Sequence, residues 1–356
     1  NGPSFEKRDD DDVGLPFLKR SRGKKAITLN LKAEEGRLLF LDLVEQADVV
    51  VENFSVGVAA RLGVDFETLR QRNPKLVYAS LTGYGQTGPD AALKCFDPAA
   101  QAASGLMAIT GYPDGPPTKA GSALADSITS VFAFSGILAA LYHAERTGEG
   151  QHVDVAMVDS VFSLIYDEPL ECYPALGLPD RQGNRIPRLS PFNAYQSSDG
   201  WLIVGVASDA HWRLLCGVME QPELADDPDF ATPGPRLTNN QRVDEIISRW
   251  TGGRSTDEAV AAIRAVGVVC GPINDIDAIK KSPQFKARAM IEDLVHPTLG
   301  VLPDVGAAAF PLKFSGTETG YKTPAALPGT HNDDVYGSLL DLDAAALARL
   351  VSEGII

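Results

Sequence analysis

KKAITLNLK (24–32), AEEGRLLFLDLVEQ (33–46), ADVVVENF (47–54) and KLVYASLTGYGQTGP (75–89) together decide the fold. Ile27, Leu29 and Leu31 alternate with Thr28 and Asn30, the period of a short half-buried strand. The next segment is helical in pattern, with Glu34 and Glu35 in its first turn, where the helix dipole favours negative charge. ADVVVENF is a continuous apolar run that ends in Glu52, Asn53 and Phe54. A further helix-like stretch, Ala59 to Arg72, leads into the strand pattern of KLVYASLT. Strand, helix, strand, helix, strand at this spacing predicts an α/β fold with a parallel, helix-covered sheet.

Ligands of such sheets sit beyond the carboxyl ends of the strands. Three segments are predicted there: Leu29 to Lys32, Asn53 to Phe54, and Thr82 to Pro89. The last carries Gly83, Gly85 and Gly88, which let backbone approach a ligand, although GYGQTGP is neither GxGxxG nor a P-loop and, taken alone, a plain turn explains it better. Lys32, Arg61 and Lys94 fall near these loops in a chain whose net charge is −15. Singly each reads as a surface cation; together they outline an anion site.

Working outward, KAGSALADSITSVFAFSGILAAL (119–141) places one carboxylate, Asp126, between a small-residue loop and a long apolar helix. Two readings are open, and spacing alone favours the first. Asp126 is the helix cap, accepting a backbone N–H and contributing about 1 kcal/mol, or it is a nucleophile at the helix's positive end.

The 356 residues, 44% apolar and 22% charged, make a globular chain long enough for one large or two ordinary domains. The acidic balance argues against nucleic acid and against an anionic membrane surface. The run Asp9 to Asp12 reads as a solvated face. Apolar runs are broken before the roughly 20 residues of a membrane span. The opening NGPSFEKRDDDD is polar and unlike a leader peptide, so a cytoplasmic location is expected. Cys95, Cys172, Cys216 and Cys270 lie far apart without CxxC spacing, and the five histidines show no HExxH, so neither disulfides nor a metal site are expected.

Three long ordered motifs carry a resemblance: VENFSVGVAARLGVDFETLRQRNPKLVYASLTGYGQTGP, FDPAAQAASGLMAITGYPDGPPTKAGSALADS and RTGEGQHVDVAMVDS. The chain resembles the family III CoA-transferases, with their relatives the 2-methylacyl-CoA racemases, from about Lys24 to the C-terminus. The resemblance implies a Rossmann-like large domain, residues 1–180 completed by 300–356. Linkers and a smaller α/β domain would occupy 181–299, and the assembly would be an interlocked homodimer. Two strands flanking Ser198-Asp199-Gly200, helices around Trp212, Val243–Trp250 and Thr256–Val266, and a terminal helix in DAAALARLVSEGII fit that plan.

It also implies roles. Leu29, Asn30, Leu31 and Lys32 match the segment contacting the CoA nucleotide. Asn53 and Phe54 match the motif beside pantetheine, Arg61 the cation meeting a CoA phosphate, and Lys94, Cys95, Phe96 and Asp97 a further CoA-contacting segment. Asp126 matches the catalytic aspartate, which reverses the preference for a cap, while Asp154 and Asp159 read as structural. Racemases place a histidine where this chain has Phe96, as a second acid/base group, so transfer is favoured over racemisation. Acyl-CoA and a small carboxylic acid are the implied partners, with a dicarboxylate such as succinate on one side. No resident cofactor or metal is implied. Small residues at Gly83, Gly85, Gly121, Ser122 and Ala123 would let backbone N–H groups approach an oxyanion.

Family members begin with a further strand-helix-strand unit that this sequence lacks, which implies either a truncated product or contacts supplied from elsewhere. The formyl-CoA transferase glycine-rich flap also has no counterpart, since GLPDRQG (177–183) is unlike it; that points away from oxalate and formate. A racemase and a non-catalytic CoA-binding protein remain alternatives at this stage.

Overall fold

The structure, a computed structural model, describes residues 13–356; the acidic run 9–12 lies outside the described residues. Strand β1 (Val49–Glu52) pairs in parallel with β2 (Val77–Thr82), in the register Val49 to Val77 and Glu52 to Ser80. Strand β3 (His152–Ala156) lies on the other side of β2. The helix Glu34–Glu45 follows its expected bounds and buries Leu39, Leu41 and Val44. Leu41 and Val44 pack with Val64, Leu69, Leu76 and Tyr78, the core beneath this sheet. The chain is a mixed α/β fold with parallel strands and covering helices.

Two expectations for this region change. Residues 24–32 form no strand. Asn30 instead donates its N–H to the Ile355 carbonyl at 2.8 Å, and the N–H of Thr28 goes to Asn332 Oδ1 at 2.9 Å, so this backbone is satisfied without a ladder. The Glu34–Glu45 helix packs so close to Asn30 that a Cβ on Gly36 would lie 2.2 Å from the Asn30 carbonyl oxygen. The helical stretch Ala59–Arg72 is two short helices, Val58–Leu62 and Phe66–Leu69, because Gly63 turns left-handed at φ 68 and Asp65 caps the second.

The second sheet is antiparallel: β4 (Phe192–Gln196), β5 (Trp201–Gly205) and β6 (Val269–Pro272). The β4–β5 hairpin turns at Ser198-Asp199-Gly200, and the N–H of Ser197 donates to the Gly200 carbonyl at 2.9 Å. Helices Asp209–Val218, Asn240–Gly252 and Thr256–Ala265 bury Trp212, Leu215, Val243, Ile247, Ala259 and Ile263 against it. Ser255 and Glu258 form a capping box that starts the last of these. Strands β7 (Ile291–His296) and β8 (Gly300–Ala308) make a separate hairpin, packed with Leu18 through Leu294 and Leu302.

The chain divides into two compact units: 1–81 with 133–154 and 275–356, and 82–132 with 155–274. This differs from the division read from sequence at 180 and 300. Ala100, Ala125 and Val161 share one core, which draws 82–132 and 155–165 together. Leu294 and Leu302 pack with Leu18, which assigns β7 and β8 to the first unit.

The Ser and Thr residues read as breaks in the apolar run after Asp126 lie within one continuous helix, Leu124–Thr147. It has 24 residues and is long and apolar enough to cross a membrane, by length and composition only; 22% of its most apolar window is buried. Its hydroxyls do not interrupt it, because Ser127, Thr129 and Ser130 each donate to the carbonyl four residues back, at 2.9, 2.7 and 2.9 Å. Val131, Phe132, Phe134, Leu138 and Tyr142 are exposed on it.

Candidate active site

Asp126 is an exposed residue in the first turn of the helix Leu124–Thr147. The N–H groups at that end have no partner within the helix. They are met from outside: Asp97 Oδ1 accepts the N–H of Ala125 at 2.8 Å and, at 3.4 Å, that of Asp126. The helix is therefore capped by Asp97. Asp97 thus supplies a cap to the same helix start on which Asp126 stands.

Asp97 is 8% exposed and opens the helix Asp97–Ala103, with Pro98 in its first turn. One turn on, on the same face, Gln101 is fully buried. Gln101 Nε2 donates to Asp97 Oδ2 at 2.8 Å, and Gln101 Oε1 accepts the Ala120 N–H at 2.8 Å. The loop 120–126 is held at both ends by this pair. Sequence reasoning missed Gln101; the signal was its spacing of four from an acid on a helix lined with alanines.

Cys95 and Phe96 precede the buried acid. Burial pushes the Cys95 thiol up, with further contributions from the charges of Asp126 and Asp97. Its proton is therefore held at neutral pH, so Cys95 is no thiolate beside Asp126. Gly83 has to be glycine here, because a Cβ would lie 2.1 Å from Cys95 Cβ. Phe96 is 80% exposed, and Lys94 is exposed as well. Of the glycines expected to offer N–H groups, Gly85 already donates to Thr82 Oγ1 at 3.0 Å, whereas Gly121 has open space around it.

The first unit gathers a different set. A cleft of about 570 Å³ is lined by Leu31, Phe40, Val49 to Phe54 and Tyr78, and so brings Leu31, Asn53 and Phe54 together. Glu52 Oε2 accepts the Phe54 N–H at 2.6 Å and fixes the turn that leaves β1. Tyr78 is pushed above the usual phenol range by burial, then by Glu52 and Asp65. Asn30 Oδ1 accepts the Lys32 N–H at 3.1 Å, and Asn30 Nδ2 donates to the Gly354 carbonyl at 3.4 Å, so Leu29 to Lys32 is a loop tied to residues 354–355. Lys32 and Arg61 are exposed. Arg61 closes the short helix Val58–Leu62, and its guanidinium lies beside Gly57. The residues expected to bind CoA thus fall in two groups, Leu29–Lys32 with Asn53, Phe54 and Arg61 in the first unit, and Lys94–Asp97 with Asp126 in the second. Among the described residues no His, Cys, Asp and Glu cluster could hold a metal ion.

A model of CoA-transferase family III matches residues 2–332. The succinate–glutarate CoA-transferase of Agrobacterium fabrum is 38% identical over 97% of this chain and 86% of its own length. The acetyl-CoA:oxalate CoA-transferase of Acetobacter aceti is 39% identical over 94% of this chain and 83% of its own. A crystal structure of a CaiB/BaiF family protein from Brucella suis superposes with a TM-score of 0.82 at 33% identity, covering 95% of this chain and 87% of that one.

Proposed function

The chain belongs to CoA-transferase family III, and from that premise we propose that it moves CoA between an acyl-CoA and a carboxylic acid through covalent intermediates on Asp126. The observation that carries this is the placement of Asp126: an exposed carboxylate in the first turn of a helix whose capping is done by another acid. The Asp126 carboxylate attacks the thioester carbonyl, giving an acyl-aspartyl anhydride and CoA thiolate. The thiolate attacks the aspartyl carbonyl and releases the first acid, leaving an aspartyl-CoA thioester. The incoming carboxylate attacks that thioester and expels the thiolate, which takes the new acyl group and returns Asp126 as a carboxylate. No proton is moved at carbon, and Phe96 stands where a racemase has its histidine. Backbone N–H groups around Gly121 are candidates for oxyanion stabilisation.

The donor we infer is a dicarboxylyl-CoA of the succinyl class, in line with the succinate–glutarate relative. The test is a mass-spectrometric screen in which succinyl-CoA is incubated with a panel of acids that includes glutarate, oxalate and formate. New acyl-CoA with glutarate or another dicarboxylate supports the reading. No exchange from succinyl-CoA to any acid of the panel, with exchange from formyl-CoA or acetyl-CoA instead, overturns the donor class, and α-deuterium wash-in without acyl exchange overturns transfer itself.

CoA binding rests on the Rossmann-like first-unit residues, Leu29 to Lys32 and the cleft of Asn53 and Phe54, with Arg61 on a phosphate. Arg61→Ala should weaken CoA binding by about ten- to a hundredfold, the value of a charge-assisted phosphate contact, and leave the melting temperature unchanged, since the side chain is exposed. Titration calorimetry at low salt checks it, and an unchanged dissociation constant removes Arg61 from the site.

The apolar face of the helix Leu124–Thr147 calls for cover. We assign that cover to a second copy, as an interlocked homodimer in the cytoplasm. Light scattering should give twice the chain mass at micromolar protein; a concentration-independent monomer overturns it.

A further inference from the structure

We propose that Asp97 and Gln101 are positioning residues for the Asp126 carboxylate, and that Asp97 does not contact CoA; the proposal rests on the reading that Asp126 is the nucleophile. Both oxygens of Asp97 are engaged, Oδ1 by the N–H groups of Ala125 and Asp126 and Oδ2 by Gln101. With 8% of its surface exposed, it has little left to offer a ligand. What it holds is the backbone on which Asp126 stands. Gln101, fully buried, extends the hold to the other end of the loop through the Ala120 N–H and, more weakly, the Ser122 carbonyl at 3.3 Å.

The network specifies an acid followed by an amide. Asp97 only accepts and Gln101 both donates and accepts, so every donor meets an acceptor. An amide at 97 breaks this. With its oxygen toward the helix, its NH2 faces Gln101 Nε2; if Gln101 turns over, its own NH2 faces the Ala120 N–H. Either way two donors oppose each other, and the start of the helix must shift. Attack on a thioester needs the carboxylate in line, and a displacement of about 1 Å costs on the order of a hundredfold in rate.

Exchanging the two groups restores the pattern. In the double variant Asp97→Asn/Gln101→Glu, the amide now at position 97 accepts from the helix and donates to the carboxylate now at position 101. The second oxygen of that carboxylate accepts the Ala120 N–H. The weak 3.3 Å donation to the Ser122 carbonyl is replaced by a carboxylate oxygen facing that carbonyl, so the recovery is partial. The experiment measures kcat, CoA affinity and hydroxylamine trapping in the intact chain. Asp97→Asn should lower kcat by about a hundredfold and leave CoA affinity within about twofold, and the double variant should recover at least about tenfold of the lost rate. Gln101→Glu alone sets two carboxylates together, so one proton between them replaces the lost donor. Its kcat should rise as pH falls, which a purely packing role would not produce and which stays measurable if Asp97→Asn does not fold. A wild-type kcat in Asp97→Asn overturns the proposal. So does a loss of CoA affinity equal to the loss of rate, a double variant without recovery, or an unchanged pH profile in Gln101→Glu. The reading of Asp126 is tested separately in the unaltered protein: hydroxamate appearing on a different residue defeats that reading whatever the Asp97 variants do.

Discussion

Asp126→Asn should abolish CoA transfer while the protein stays folded and still binds CoA. The start of the helix Leu124–Thr147 has a cap that the substitution leaves in place, because Asp97 accepts the Ala125 N–H at 2.8 Å, and asparagine caps about as well as aspartate. Removing a negative charge from the first turn costs only about 0.3–1 kcal/mol. An amide, however, is too weak a nucleophile to open a thioester. With the covalent route gone, the rate should fall by at least about a thousandfold, as when a nucleophile is deleted elsewhere. The measurements are acyl exchange from succinyl-CoA, CoA affinity and melting temperature, on wild type and variant together. In wild type, acyl-CoA with hydroxylamine should convert Asp126, and no other acid, to the hydroxamate. Wild-type turnover in Asp126→Asn, or hydroxamate on Asp159 in the first turn of the helix Met157–Ile165, defeats the assignment.

The largest stability effect is expected at Asp244, which has no role in the proposed chemistry. It is 8% exposed and lies on the helix Asn240–Gly252. Its Oδ2 accepts from Arg185 Nε and Nη2 at 2.9 and 2.6 Å and from Asn193 at 3.0 Å, and its Oδ1 accepts the Tyr195 hydroxyl at 2.6 Å. Tyr195 is 1% exposed, and its phenol is pushed well above its usual range by burial first and then by Asp244. Asp244→Ala strands the buried Tyr195 hydroxyl and leaves Arg185 and the half-buried Asn193 without this acceptor. Leaving them unpaired should cost about 3 kcal/mol. Arg185→Ala is the comparison: its side chain is 41% exposed, so its loss should cost about 1 kcal/mol or less. Trp212 and Trp250 belong to the same core, so tryptophan fluorescence in urea reports the change. Equal midpoints for the two variants would show that the network is not what holds β4 to this helix.

Elements with a local cause could be read from the sequence. The β4–β5 hairpin has its Ser-Asp-Gly turn, and the helix Glu34–Glu45 has its acidic first turn and apolar stripe. The parallel pairing of β1 and β2 followed from two apolar runs separated by helical sequence. Residues 24–32 alternate like a strand, yet their partners are Asn332 and Ile355, some 300 residues away, and no pattern within nine residues encodes that. The break at Gly63 was legible in principle, since a glycine two residues before a capping Asp65 marks one helix ending and another beginning. At the candidate site, Asp126 was reached through long ordered motifs and its position at a helix start. The occupation of Asp97 was hidden, because its partners are backbone groups 28 and 29 residues further on. A side chain that serves a distant stretch of backbone leaves no periodicity of its own.

The clasp between Asn30 and the residues Gly354 and Ile355 bears on how this protein is made. The ribosome delivers the loop 28–32 more than 300 residues before those partners, so through all of that synthesis the loop has no template. Closing contacts at such separation is slow, because the entropy of joining distant segments is spent before the contacts reward it. The second unit has its largest core between Tyr195 and Val268 and can condense on the ribosome once that stretch has emerged. The clasp on Asn30 cannot close until residues 354 and 355 have cleared the exit tunnel. A translational pause between the two events therefore leaves the loop 28–32, among the first segments made, without its partners and open to proteases.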